Sequence, residues 1–238
     1  MRVIGRVLAA LAAAGFAVVA YAYLTLPDVR ALRTSNPTST AFMDLRAREA
    51  RARGQKPRRV QVWARYGSIS RDLVRAVLVA EDDAFWQHDG VDYTQLQESI
   101  QSDWERGRLT RGGSTITQQL AKNLYLSPSR SPLRKLRELI IARRLEAELT
   151  KSRILELYLN VIEWGDGIWG AEAAARTYFH KTAAELTPSE SALLAAVIIN
   201  PRVLNPAHPT ERIVRRQQLI LRRMGVVVPP EESAQLVR

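Results

Sequence analysis

Residues 70–90 read SRDLVRAVLVAEDDAFWQHDG. Counting back from Glu81, the apolar residues Leu78, Val77 and Val74 stand at i−3, i−4 and i−7, the spacing of one helical face. Ser70 can cap that helix, and Asp72 sits favourably in its first turn. Glu81 therefore lies in the greasy stripe at the far end. Loss of water disfavours its charged form, Asp82 and Asp83 crowd it with like charge, and a helix C-terminus is the wrong end for an anion. All three effects raise a carboxyl pKa, as suits a proton acceptor working near neutral pH.

Outward from this stretch the chain reads as helices. Ser131-Pro132 opens one, and Thr150 caps KSRILELYLNVIEW, which Gly165 can stop. Thr187-Pro188-Ser189-Glu190 is a capping box, and Thr210 and Gly225 bracket a last helix. Before Ser70, RRVQVWARY alternates Val60, Val62, Ala64 and Tyr66, which predicts one short strand. No repeat and no change of composition follows residue 60, so 60–238 reads as a single, mainly α domain. Residues 27–59 read as a basic linker, in which AFMDLRAREARARG is an amphipathic piece suited to lie along anionic headgroups.

Residues 7–26, VLAALAAAGFAVVAYAYLTL, carry no charge. Roughly 20 apolar residues cross a bilayer as a helix, so residues 1–26 read as a retained transmembrane anchor. Ala20-Tyr21-Ala22 also resembles a signal-peptide cleavage site, but the apolar run is longer than such peptides use. Arg2 and Arg6 on one side and Arg30 and Arg33 on the other leave orientation undecided by charge. The 238 residues carry a net charge of +11, which favours an anionic partner, and the absence of cysteine excludes disulfides and thiolate metal sites.

Two further stretches carry chemistry. Gly112-Gly113-Ser114-Thr115 precedes TITQQLAKNLYL, where free backbone amides attract anions. Lys122 and Asn123 follow on that helix, with Arg130 just beyond. In SPLRKLRE, residues 131–138, the cations Arg134, Lys135 and Arg137 surround Glu138, which shares a face with Ile141, Ala142 and Leu145. A basic cluster around a half-buried acid suits a pyrophosphate leaving group. Glu172, on an alanine-rich segment, reads as a brace, and His88 as a positioning residue rather than a metal ligand.

These motifs together resemble the peptidoglycan glycosyltransferases, family 51 of the carbohydrate-active enzymes. Glu81-Asp82, Phe85, His88 and Gly90 are similar to the first signature, GGSTITQQLAKN (112–123) to the second, and Arg134-Lys135 with Glu138 to the third. ILELYLN (154–160) and GIWGAEAAARTYF (167–179) complete the order. Roughly thirty residues follow position 205, too few for the transpeptidase domain of bifunctional members. The resemblance implies a lysozyme-like lobe with a small mobile jaw near residues 93–111, where Trp104 could help. It implies polymerisation of lipid II into β-1,4-linked glycan with release of undecaprenyl pyrophosphate, by a domain on the outer face of the cytoplasmic membrane.

Glu81 would be the base and Glu138 the assistant of the leaving group, with Lys122, Arg130, Arg134 and Arg137 around it. Asp82, Phe85, His88, Ser114, Thr115, Gln118, Gln119, Asn123 and Lys135 complete the implied substrate site. Arg137 departs from the neutral or lysine side chain common in relatives. A divalent cation (Mg2+ or Mn2+) could share the pyrophosphate's charge, although no dedicated cage is present. Implied partners are lipid II, the growing glycan, membrane lipids, and proteins of cell-wall synthesis or division, which no residue identifies individually. A lysozyme-like lytic enzyme would also use two carboxylates but needs no cationic pocket. RRQQLILRRM near the end could suggest a DNA-binding helix, yet Leu219, Ile220 and Leu221 fit a core stripe better, and no nucleic-acid partner is expected.

Overall fold

A computed structural model describes residues 2–94, 97, 113–129 and 131–226. Arg130, Gly112, Trp104 and nearly all of the expected jaw lie outside the described residues. Among those described, the helices are α1 (Arg2–Leu24), α2 (Ala41–Ala52), α3 (Arg71–Glu81), α4 (Ile116–Tyr125), α5 (Pro132–Glu148), α6 (Lys151–Val161), α7 (Ala171–Phe179), α8 (Pro188–Val197) and α9 (Glu211–Arg223). The mainly α class is as expected. Local signals set many boundaries: Ser70 accepts from the Asp72 amide, Thr150 from that of Arg153, and Thr187 with Glu190 forms the full capping box.

The helices pack in two groups around one buried cluster. Helix α8 packs against both α3 and α9, while α4 lies against α5, α6 and α2. Leu73, Ala76 and Val77 of α3 bury fully, which is the face inferred from periodicity.

A small sheet at one side differs from the single predicted strand. Its order is β1-β3-β2, with β1 (Val60–Gln61) parallel to β3 (Ile168–Trp169), and β3 antiparallel to β2 (Glu163–Gly165). The expected alternation fails: Val60 and Val62 are exposed, whereas Trp63 is half-buried and Ala64 buried. Pairing stops early because the Asn160 amide, rather than another strand, takes both the Ala64 N–H (2.8 Å) and its C=O (2.8 Å). Helix α6 ends at Val161, four residues before Gly165, where the Trp164 indole N–H caps the Leu159 carbonyl at 3.3 Å. The passage from β3 into α7 needs Gly170, whose φ is 86° and where a Cβ would stand 2.9 Å from the Asn160 carbonyl.

Residues 27–59 are not a detached linker. Val29, Leu32 and Met43 join the main core, and Arg46 of α2 pairs with the buried Glu163 at 3.0 Å. Met43 turns inward, so the apolar face of α2 meets protein rather than headgroups. Helix α1 is long and apolar enough to cross a membrane and is exposed along nearly its whole length. Its end is tied to α5: Arg137 donates to the Thr25 carbonyl at 3.1 Å, and the Arg144 guanidinium lies 4.6 Å from the Tyr23 ring centroid.

Asn160 is fully buried and also donates to the Glu156 carbonyl at 2.8 Å. Asn160→Ala leaves the backbone groups of Ala64 without partners, and thermal melting should show a loss of about 1–3 kcal/mol of stability. An unchanged melting temperature would show that the Asn160 bridge does not hold the strand.

Candidate active site

Glu81 ends α3, and its side chain is 14% exposed. Gln119 of α4 donates to its Oε2 at 3.0 Å, and Arg216 of α9 approaches Oε1 at 3.4 Å. Burial pushes the Glu81 carboxyl above its ordinary pKa, the Gln119 hydrogen bond and the charges of Arg216 and Lys122 pull it down, and Asp82 adds a smaller push upward. The direction agrees with the sequence, and desolvation dominates over like-charge crowding.

Asp82 is buried and turned away from Glu81's cleft. Its Oδ2 accepts the Ile116 N–H at 2.8 Å, at the first turn of α4, and its Oδ1 meets His88 Nε2 at 2.9 Å. His88 in turn receives the Gly90 N–H on Nδ1 at 3.2 Å. Thr115 donates to the Gly90 carbonyl at 2.7 Å, and Gln118 Nε2 reaches the same oxygen at 3.1 Å. Phe85 is wholly buried, with the Lys151 ammonium 4.5 Å from its ring centroid. The structure thus makes Asp82, Phe85, His88 and Thr115 a framework that sets α4 against α3. The polar groups of Asp82, His88 and Thr115 are engaged inside the protein, and Phe85 is enclosed in the core.

Glu138 lies on the facing helix α5 and is 3% exposed. Arg134 binds one of its oxygens and Lys135 the other, the latter at 2.5 Å. Lys135 also reaches Gln118 Oε1 at 2.8 Å and Ser114 Oγ at 3.2 Å, which joins the second and third motifs. Lys122 of α4 interacts electrostatically with both acids. Burial lowers its pKa first, Glu138 raises it, Arg134 and Lys135 lower it, and Glu81 raises it. Its ammonium also lies 5.9 Å from the Phe42 ring centroid. Asn123 donates to the Gln119 carbonyl at 2.8 Å. Arg137 is the exception: its guanidinium turns to the end of α1 instead of joining Glu138. Glu172 braces as expected, accepting from Arg176 and the Ala183 N–H, each at 2.7 Å.

Two residues of this site escaped the sequence. Tyr158 of α6 donates to Gln119 Oε1 at 2.9 Å. Arg216 borders the buried stripe of α9, in which Ile213, Gln217, Ile220 and Leu221 are inward while Leu219, expected in the core, is exposed. The position of Arg216 at i+3 from Ile213 and i−4 from Ile220 was the available signal.

Two carboxylates within electrostatic reach of one cation, one desolvated and one clamped by Arg134 and Lys135, suit chemistry at a glycosidic linkage. Residues 48–225 match the Transglycosylase family, and the chain belongs to that family. A biosynthetic peptidoglycan transglycosylase of Aromatoleum aromaticum is 51% identical over 167 residues, covering 70% of this chain and 73% of that one. The proteins of the same name from Laribacter hongkongensis (45% over 197 residues, 82% and 86% covered) and Thiobacillus denitrificans (47% over 195, 82% and 84%) are similar over a longer span.

A folded-state pKa raised above the unfolded value means that Glu81 burdens the fold once it ionises. Its contribution is most favourable below the unfolded value of roughly 4.3 and is lost as pH rises through the folded one. Glu81→Gln should therefore melt about 2 °C or more above wild type at pH ~8, with the gap closing toward pH ~4. A gap that widens on acidification would reverse the assignment.

Proposed function

We propose that this chain polymerises lipid II: the acceptor's 4-hydroxyl attacks C1 of the donor muramic acid sugar, with inversion, to form a β-1,4 link. The observation that carries the reading is Lys122, placed within electrostatic reach of both Glu81 and Glu138. Glu81 accepts the hydroxyl proton as the new C1–O bond forms. The bond from C1 to the pyrophosphate oxygen breaks, and undecaprenyl pyrophosphate leaves with the electron pair. Lys122, Arg134 and Lys135 neutralise the departing charge. Glu138 serves by holding Arg134 and Lys135 in place, since both of its oxygens are bound by them.

A neutral glycosidic bond needs no such cationic wall, which separates this chemistry from lytic cleavage. The donors present do not fit a protein-held divalent cation, because Glu138's oxygens are taken and no group of three His, Cys, Asp or Glu forms among the described residues. Mg2+ or Mn2+ would arrive with the pyrophosphate, and no step is routed through it. We place α1 in the cytoplasmic membrane, with the remaining helices on its outer face where lipid II is presented. The length of α1 and its mean hydropathy support that placement.

General-base catalysis is worth roughly 100- to 10,000-fold. Glu81→Gln should lower lipid II polymerisation by at least about 100-fold while the protein stays folded. Lys135→Ala should slow it by about 10- to 100-fold, because one donor to Glu138 and to the leaving group disappears. Wild-type rates in Glu81→Gln, or release of fragments from purified cell wall by the native enzyme, would overturn the reading.

A further inference from the structure

The Glu81 carboxylate is surrounded by groups from three other helices. Gln119 and Lys122 come from α4, Arg216 from α9, and Tyr158 of α6 lies behind Gln119, with Asp82 adjacent in the chain. Of these, Gln119 comes to 3.0 Å of the carboxylate, nearer than Arg216 at 3.4 Å, and it is ambiguous by itself. An amide can turn a donor or an acceptor toward its neighbour, with opposite effects on an anion.

Tyr158 removes the ambiguity. The ring is fully buried, and among the described residues the one hydrogen-bond partner of its hydroxyl is Gln119 Oε1, at 2.9 Å. That bond fixes Oε1 toward α6 and leaves Nε2 facing Glu81 Oε2 at 3.0 Å, with the Ser114 carbonyl 3.5 Å from the same nitrogen. Turning the amide over would set its oxygen against a carboxylate and a carbonyl, and would strand the phenolic proton in a water-free place. Burial and the negative charges of Glu81 and Asp82 raise the phenol well above its ordinary pKa, so it keeps that proton across the working range.

We infer that Tyr158 is a positioning residue for the transfer reaction: through Gln119 it keeps a hydrogen-bond donor aimed at Glu81, so that this carboxylate is ionised and correctly oriented when the acceptor hydroxyl arrives. The inference rests on the role of Glu81 proposed above. It assigns a chemical task to a fully buried residue of the fourth motif. Loss of the phenolic hydroxyl frees the amide to turn and accept from a protonated Glu81, so Glu81 holds its proton to higher pH and the base is depleted on the acid side.

The test uses the full-length protein in detergent with 13C-labelled glutamate carboxyls, the Glu81 signal being identified by its loss in Glu81→Gln. Tyr158→Phe keeps the ring. Its Glu81 titration should move to higher pH, and lipid II polymerisation at mildly acidic pH should fall roughly three- to tenfold with little change at alkaline pH. In a Gln119→Ala background, adding Tyr158→Phe should move the titration no further. An unmoved titration in folded Tyr158→Phe overturns the inference, as does an equal shift with and without Gln119. Should Tyr158→Phe fail to fold, Gln119→Ala alone is decisive, because an unmoved titration there overturns it as well. A moved titration beside an unmoved rate profile upholds the relay and overturns the base role of Glu81 instead, so the two failures are distinguishable.

Discussion

The Asp82 carboxylate is the joint on which the site is built. It caps the C-terminal end of α3, just after Glu81, and accepts the first amide of α4, where the unsatisfied N–H groups of a helix N-terminus favour an anion. With His88 on its other oxygen, it fixes a loop whose Gly90 carbonyl takes bonds from Thr115 and Gln118. Glu81 is the preceding residue in the chain, so locking Asp82 against α4 sets Glu81 beside Gln119 and Lys122. A neighbouring pair of acids thus divides the work: one is buried and bonded for architecture, the other is kept desolvated, as the base role proposed for it requires.

The opposite wall follows from local helix geometry. Arg134 and Lys135 precede Glu138 by four and three residues, which places all three on one face. Their ion pairs are partly buried, and Lys135 continues across to Ser114 and Gln118. The cationic wall is therefore attached to the helix that follows the glycines, rather than floating on a surface. Lys122 completes it from α4, held between charges of both signs.

Much of this was legible because it is periodic or local. The i−3, i−4, i−7 stripe ending at Glu81, the caps at Ser70, Thr150 and Thr187, and the half-apolar face of Glu138 all lie within a few turns of one helix. What escaped is long-range. Tyr158 reaches Gln119 from another helix, Arg216 comes from the last helix, and Asn160 displaces a strand by supplying an amide where a backbone partner was expected. Composition misled at residues 27–59, where polar and basic character hid the three apolar anchors Val29, Leu32 and Met43. Arg137 misled for a related reason. Charge near an acid predicts pairing, but the Thr25 carbonyl at the end of α1 offered a competing acceptor.

That last contact bears on how the enzyme is handled. The carbonyl of Thr25 and the ring of Tyr23 serve as direct neighbours of two arginines on the helix that carries Glu138. A soluble form shortened to begin after residue 25 would strip both arginines of those partners. Kinetic differences between the trimmed and intact proteins would then mix two causes, loss of the apolar helix α1 and a changed setting for α5, and a cut placed before Tyr23 would separate them.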